Sequence, residues 1–437
     1  MSNKNYVPLN EFILLQRGFD LPQSDRISGD IPVVASTGVA GFHNEYKVDA
    51  PGVVIGRSGS IGGGQYIKEK FWPLNTTLWV KDFKGHDARY VYYLLKSIDF
   101  HRFNVGTGVP TLNRNHLSSV LVKNLGYINE KVIAKILGDL DDKIHLNNQI
   151  NQTLESIAQA LFKSWFVDFD PVRAKIVAKQ EGNNPEFAAM CVISGKSEVE
   201  LHQMAEDDFA ELQATAALFP DEFVESELGE VPKGWEILDI DKTTSLIIDH
   251  RGKTPKKLGS DWSDTGITVL SAKHIKDGYI VNREQLRFVD RELYNKWMKE
   301  ELEEGDILLT SEGPMGEMYY LASDEKYCLS QRLYALRANT DLISSAFLYF
   351  WLLSPYAKSD MNGRATGTTV VGIRQSELRK VKVLTPPKKI CDLFNENVKA
   401  NLKQIALNNN KSVDLAHIRD ILLPKLMAGD LTLSVGC

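Results

Sequence analysis

The chain has 437 residues, 43% of them hydrophobic and 25% charged, with a net charge of −6. That length suits two or three domains rather than one core, and the balance is that of a soluble globular protein. No apolar run reaches the roughly 18 residues of a membrane helix, and Met1-Ser2-Asn3-Lys4-Asn5-Tyr6 lacks the apolar core of a signal peptide. Cys191, Cys328, Cys391 and Cys437 stand far apart without CxxC or Cys/His ligand spacing, so a reduced, cytoplasmic protein with no structural metal is expected.

Near the start stand Arg17-Gly18, Pro22 and Ile31-Pro32-Val33-Val34. Pro51-Gly52-Val53-Val54-Ile55 follows, running into Arg57-Ser58-Gly59-Ser60-Ile61-Gly62. Val53-Val54-Ile55 and Leu78-Trp79-Val80 read as short strands, Arg89–Ile98 as a helix, and Gly106-Thr107-Gly108 as a loop leading through Arg114 to Leu117. Residues 131–162 carry Ile133, Leu137, Leu140, Ile144, Leu154, Ala158 and Leu161 at three- and four-residue spacing. Asn147 and Asn151 interrupt that stripe as register-fixing polar residues do. A helix of about 30 residues spans roughly 45 Å.

Residues 170–234 hold 5 basic against 14 acidic side chains and read as a connector with short helices near Val199–Leu218. A solvated linker is favoured there over a DNA-mimicking acidic surface. Its charge sets the sign of the whole chain. Residues 1–125 hold 14 basic against 10 acidic side chains and residues 235–389 hold 23 against 22, so each large region is weakly positive. Only modest nonspecific affinity for nucleic acid follows.

The second half then repeats the first. Arg251-Gly252, Pro255 and Ile267-Thr268-Val269-Leu270 answer the opening segment. Glu304-Gly305-Asp306-Ile307-Leu308 with Ser311-Glu312-Gly313-Pro314-Met315-Gly316 answers the strand and Gly-rich turn. Thr366-Gly367-Thr368 through Arg374 to Leu378 answers the later loop. Leu333-Tyr334-Ala335-Leu336 reads as a strand, Ser345–Leu353 as a helix, and about 392–427 as a second long helix. From Leu117 onward the offset is a constant 261: Ile144-His145-Leu146-Asn147-Asn148 matches Ile405-Ala406-Leu407-Asn408-Asn409, and Leu154, Ile157 and Leu161 match Leu415, Ile418 and Leu422. Two such stripes can bury their apolar faces on each other, through Leu140, Ile144, Leu154, Leu161, Ile405, Leu415, Ile418 and Leu422. Packing of each on its own globular domain stays open as the alternative.

Chemistry-bearing motifs are missing. Gly252-Lys253-Thr254 and Gly195-Lys196-Ser197 resemble the end of a phosphate loop, but the required earlier glycine falls at Ile247 and Met190. The segment Gly56–Gly64 lacks the GxGxxG phase of a dinucleotide site. No Asn-Pro-Pro-Tyr or Asp-Pro-Pro-Tyr, HExxH or GxSxG string occurs, and no two histidines lie three to five residues apart.

Leu161-Phe162-Lys163-Ser164-Trp165-Phe166-Val167-Asp168-Phe169-Asp170-Pro171, Leu218-Phe219-Pro220, Ser226-Glu227-Leu228-Gly229-Glu230-Val231-Pro232-Lys233-Gly234-Trp235 and Leu422-Leu423-Pro424-Lys425-Leu426-Met427-Ala428-Gly429-Asp430-Leu431 occur in that order. With these strings the chain resembles the specificity subunit of type I restriction-modification systems over nearly its whole length. The first copy departs from the pattern by lacking a lead-in like Gly234-Trp235-Glu236.

The resemblance implies a mixed α+β fold, with two target-recognition domains joined by two long antiparallel coiled-coil helices. The expected layout is a first domain at 1–126, its helix at 127–169, the connector at 170–234, a second domain at 235–389, and a second helix and tail at 390–437. Each domain would read half of a bipartite DNA site, with methyltransferase subunits docked along the helices and a restriction and motor subunit on the complete enzyme. S-adenosylmethionine, ATP and Mg are expected only on those partners.

Base reading needs fixed donors and acceptors: Arg to guanine, Asn or Gln to adenine, Ser or Thr to either. The candidates are Arg57, Ser58, Asn113, Arg114 and Asn115 in the first copy. In the second they are Lys273, His274, Ser311, Thr368, Thr369, Arg374 and Gln375. For any one of them a solvated loop or a turn cap is the competing role. A stand-alone DNA-modifying enzyme and a structural coiled-coil scaffold remain as alternative functions. The purified chain given S-adenosylmethionine and ATP without partners is expected to turn over neither, and measured turnover would overturn the non-catalytic reading.

Overall fold

The computed structural model describes residues 5–105, 108–250 and 252–431. Gly106, Thr107 and Arg251, which help to mark the repeat in the sequence, lie outside the described residues. The chain divides into two compact units that do not follow chain order: residues 1–148 with 409–437, and residues 149–408. Each unit therefore takes half of each long helix.

The first unit is built on a four-stranded antiparallel sheet in the order Leu14–Arg17, Thr77–Asp82, Gly52–Gly56, Gly62–Ile67. Val53, Val54 and Ile55 are all buried, which explains a run of consecutive apolar residues in place of alternation. Beside it lies a three-stranded sheet, Gly38–His43, Ile31–Ala35 and Trp72–Pro73, antiparallel then parallel. Tyr6–Pro8 pairs with Leu121–Lys123 and closes the module just before the long helix begins at Tyr127.

The Ala88–Ser97 helix, capped by the Asp87 carboxylate on the Tyr90 N–H at 2.9 Å, ties the sheet to that helix. Arg89 donates to Asp142 at 2.8 Å and to the Gly138 carbonyl at 2.9 Å. Gly138 leaves room for this guanidinium, which a Cβ there would push aside. The Arg89 hydrogen bond, ahead of the smaller effect of Lys68, holds the Asp142 carboxyl down at about 2. Glu130, fully buried, accepts from His86 Nδ1 at 2.8 Å and from the Asp87 N–H at 3.2 Å.

The second unit repeats these layers. Thr244–Asp249, Leu333–Ala338, Ile307–Thr310 and Met318–Tyr320 form an antiparallel sheet in the same order. Arg287–Val289, Ile267–Leu270 and Tyr327–Leu329 repeat the antiparallel-then-parallel sheet, and Glu236–Asp239 pairs with Lys382–Thr385 before the second long helix starts at Lys388. The duplication is thus a duplication of topology. Segment 170–234 is more than a solvated linker: helices Asp170–Glu181, Pro185–Ser194, Glu198–Leu201 and Glu206–Ala217 enclose a small core of Ala189, Met190, Leu201 and Ala216.

The long helices run Tyr127–Phe166 and Lys388–Ala428, at 40 and 41 residues longer than their apolar stripes, or about 60 Å each. They are antiparallel in each unit. In the first, Asp141 accepts from Arg419 at 2.6 Å and Asn147 donates to Ser412 at 3.1 Å. In the second, Asn408 donates to Asn151 at 2.9 Å, and Asn151 donates to the Ile405 carbonyl at 3.4 Å. Further along, the Phe162 and Phe394 rings meet edge to face at 5.6 Å.

Among the aliphatic positions expected at the pairing, Ile405 is buried, while Leu140, Ile144, Leu154 and Leu415 are half-buried. Leu161 and Leu422 pack against the cores of the second and first unit respectively. Ile418 is a correction: it is 46% exposed, because Leu422, Leu423, Leu426 and Met427 form the face that this end of the helix turns to its core.

Asn408→Ala removes a donor to the carboxamide oxygen of Asn151, a fully buried residue. An unfolding free energy lower by about 1 kcal/mol, read from a lower urea midpoint, is expected, with most of it regained in the Asn151→Leu/Asn408→Leu double variant. Unchanged unfolding of Asn408→Ala, followed by circular dichroism, would show that the pair does not hold the helices.

Candidate nucleic-acid interface

At one end of each four-stranded sheet, loops that are distant in the chain are sewn together by backbone hydrogen bonds. In the first unit the Arg57 and Ser58 N–H groups donate to the Thr76 carbonyl at 2.8 and 3.1 Å. The Gly59 N–H donates to Pro110 O at 3.0 Å, and Leu112 N–H to Arg57 O at 2.8 Å. Ser58 and Thr111 form a β-bridge. The Gly-rich turn and the 108–115 segment, separate candidates in the sequence, are therefore one surface. Ser36, in the turn after Ile31–Ala35, adjoins it, its Cβ lying 3.2 Å from where a Gly56 Cβ would stand.

The second unit makes the same junction. The Ser311 N–H donates to Arg332 O at 2.9 Å and Ile373 N–H to Ser311 O at 2.9 Å, while Glu312 bridges Gly372. Gly372 must lack a side chain, since a Cβ would lie 2.8 Å from the Glu312 Cβ. The loop itself closes by Val105 N–H to Thr111 O at 3.0 Å in one copy and Thr366 N–H to Gly372 O at 2.8 Å in the other. Both ends obey the 261 offset, so the fixed register reaches back through this loop. It also moves one pairing by a residue: Arg374, which precedes the Gln375–Leu378 helical turn, corresponds to Asn113, which precedes Arg114–Leu117, and not to Arg114.

The candidates divide by exposure. Asn113, Arg114, Asn115, Thr368, Thr369 and Arg374 are exposed, and Arg57, Ser58 and Gln375 are half-buried. Asn113 spends its side-chain oxygen capping the Asn115 N–H at 3.0 Å. Lys273 is exposed and bonded to Gln285 at 3.0 Å.

Two candidates are corrections. Ser311 is buried, because it sits where the ladder passes into the junction and both its backbone groups are engaged there. His274 is buried in a short turn, its Nδ1 3.1 Å from the Ser271 N–H. Burial, reinforced by the charge of Lys273, pushes its imidazole below the ordinary histidine range. Neither side chain is presented to a ligand.

Sequence reasoning missed Ser36, Thr76, Glu312 and Arg332, which stand near strand ends; Thr76 and Arg332 occupy corresponding places in the two copies, and Glu312 takes the place of Ser58. It also missed Val109 and Val370, equivalent at the 261 offset and both exposed; an apolar tip of that kind suits a thymine methyl. The signal was available in the repeat, since each of these residues directly flanks a matched strand or loop. Among the described residues no group of three or more His, Cys, Asp or Glu side chains could hold a metal ion, and no helix is long and apolar enough to cross a membrane.

Duplicated mixed modules, each joined to long helices and each ending in a polar-tipped loop junction, define a class of DNA-recognition subunits. The sequence profile of the family described as "Type I restriction modification DNA specificity domain" matches residues 1–156 and 232–413, and the chain belongs to that family. Specificity subunits are the recognition part of such systems, not the catalytic part.

The chain is 32% identical to the type I restriction enzyme HindI specificity subunit of Haemophilus influenzae, over 74% of this chain and 71% of that one. It is 23% identical to the MjaIX specificity subunit of Methanocaldococcus jannaschii, over 79% and 70%. The crystal structure of a type I restriction-modification S subunit from M. genitalium aligns over 98% of this chain and 97% of that chain, with a TM-score of 0.62 at 13% identity, a likeness of fold.

The lowered pKa of His274 has a stability consequence. The folded state holds this ring neutral, whereas the unfolded chain protonates it near 6.5, so its contribution is intact above that pH and is lost as pH falls through it. The drop in melting temperature between about pH 7.5 and about pH 5.5 should be smaller in His274→Gln than in the parent. Equal drops would mean that the ring titrates normally.

Proposed function

We propose that the chain reads a split site in double-stranded DNA, one half-site per module, and brings methyltransferase and restriction subunits to it. The observation that carries this reading is the repeated loop junction, closed by the same backbone bonds at the same offset, with exposed Asn113, Arg114 and Asn115 in one copy and Thr368, Thr369 and Arg374 in the other. A helix-pairing scaffold has no use for two such surfaces.

The weakly positive modules are consistent with a reader that works inside a larger complex, where partners enclose the DNA and supply phosphate contacts. Apolar side chains left exposed on the long helices suit the docking of methyltransferase subunits: Leu146, Val413, Ile418 and Ile421 in the first unit, Ile150, Ile157 and Leu407 in the second. S-adenosylmethionine, ATP and Mg would then act on those partners, in the cytoplasm.

Methylation mapping of genomic DNA, from cells carrying the chain with its methyltransferase subunit and from cells without the chain, tests the reading. A bipartite methylated motif present only with the chain is the expected result. Unchanged methylation, or a continuous motif, would refute the split-site assignment.

A further inference from the structure

Superposing the two junctions by their backbone bonds makes Arg57 the counterpart of Ser311 and Thr76 the counterpart of Arg332, since Arg57 N–H donates to Thr76 O and Ser311 N–H to Arg332 O. In each module one member of this bonded pair is an arginine, but it is the opposite member in the two copies. In the first it comes from the turn after Gly52–Gly56. In the second it comes from the loop before Leu333–Ala338.

Arg332 has the geometry of a presented side chain. It is 53% exposed, at the edge of the loop that carries Thr368 and Thr369. Its backbone occupies the left-handed region at φ 68°, which is uncommon for a residue with a side chain. The carbonyl is tied to the Ser311 N–H, and the guanidinium is ion-paired through Nε to Glu312 at 2.9 Å. Glu312 is itself anchored by its bridge to Gly372. Arg57 is held more lightly still, by one 3.5 Å contact from Nη1 to the Asn75 carbonyl. A planar fork at the loop junction, steadied by one solvent-exposed partner that DNA can replace, suits bidentate recognition of guanine O6 and N7.

We propose that Arg332 is a specificity-determining residue that reads one guanine in the half-site of the second module, in the role that Arg57 fills in the first. This rests on the split-site reading. Glu312 holds the fork in place before DNA arrives and gives it up on binding.

The test is methylation mapping with the full chain and its methyltransferase partner, for the parent, Arg332→Gly and Arg332→Asn. Glycine accepts the left-handed conformation freely and asparagine tolerates it, so both variants keep the loop. The expected result is that one G·C position of the second half-site loses discrimination by about 10- to 100-fold while the first half-site is unchanged. Arg57→Ala should relax a position in the first half-site alone. If the Arg332 variants keep the parental motif, the assignment is wrong although the split-site reading stands. Uniform weakening at all sites would mark Arg332 as a phosphate contact and equally overturn the assignment. If the parent itself yields no bipartite motif, the functional reading fails first.

Discussion

Asn151 and Asn408 press two carboxamides together in the buried seam of the second unit, and a carboxamide deprived of hydrogen-bond partners there costs on the order of 1–3 kcal/mol. Leucine would slide past leucine at any of several settings; amide pairs do not. Sliding one helix by a turn would part Asn408 from Asn151, and in the first unit Asn147 from Ser412 and Arg419 from Asp141. Polar pairs inside an apolar seam thus select one register and one polarity, at some cost in raw stability. Each compact unit takes its helical support from two distant stretches of chain, so this register decides which residues complete which module.

With the helices fixed, each module has a rigid base on which its loops are presented. In the first, the base is locked by Glu130 under His86 and by Arg89 lying in the groove opened by Gly138. The loops at the sheet end are then braced against one another by main-chain bonds that do not depend on side-chain identity. This separation matters for a recognition protein. Backbone bonds maintain the junction while side chains at its tips are left to vary, and the two copies show that variation directly: Arg57 faces Thr76 where Ser311 faces Arg332.

The duplicated architecture was legible because the repeat survives in strings that the fold needs, such as the turn glycines, the buried strand triplets and the helix stripes. Exposure was less legible. Ser311 and Ser58 sit in like strings, yet Ser311 is buried and Ser58 half-buried, because that depends on how neighbouring strands end. His274 looked like a base-reading donor and proved to be a turn residue held by Ser271. The stripe of the second helix offered Leu415, Ile418 and Leu422 as equals, and only the packing of Leu423, Leu426 and Met427 shows that Ile418 points away. Arg332 escaped notice because its significance lies in a partner twenty residues upstream and in a backbone angle, neither of which a composition rule encodes.

The interlaced make-up of the units has a consequence for biosynthesis. The first unit needs residues beyond 408: Lys123 bonds the Ala428 carbonyl, and Leu426 and Met427 fill the core beneath Ile133 and Leu137. A ribosome has released the whole second unit before those residues emerge. The first module to be made is therefore the last to be finished, and during synthesis its helix surface waits exposed. Vectorial, module-by-module maturation is closed to this protein, and a nascent chain that stalls late leaves the earliest-made unit incomplete.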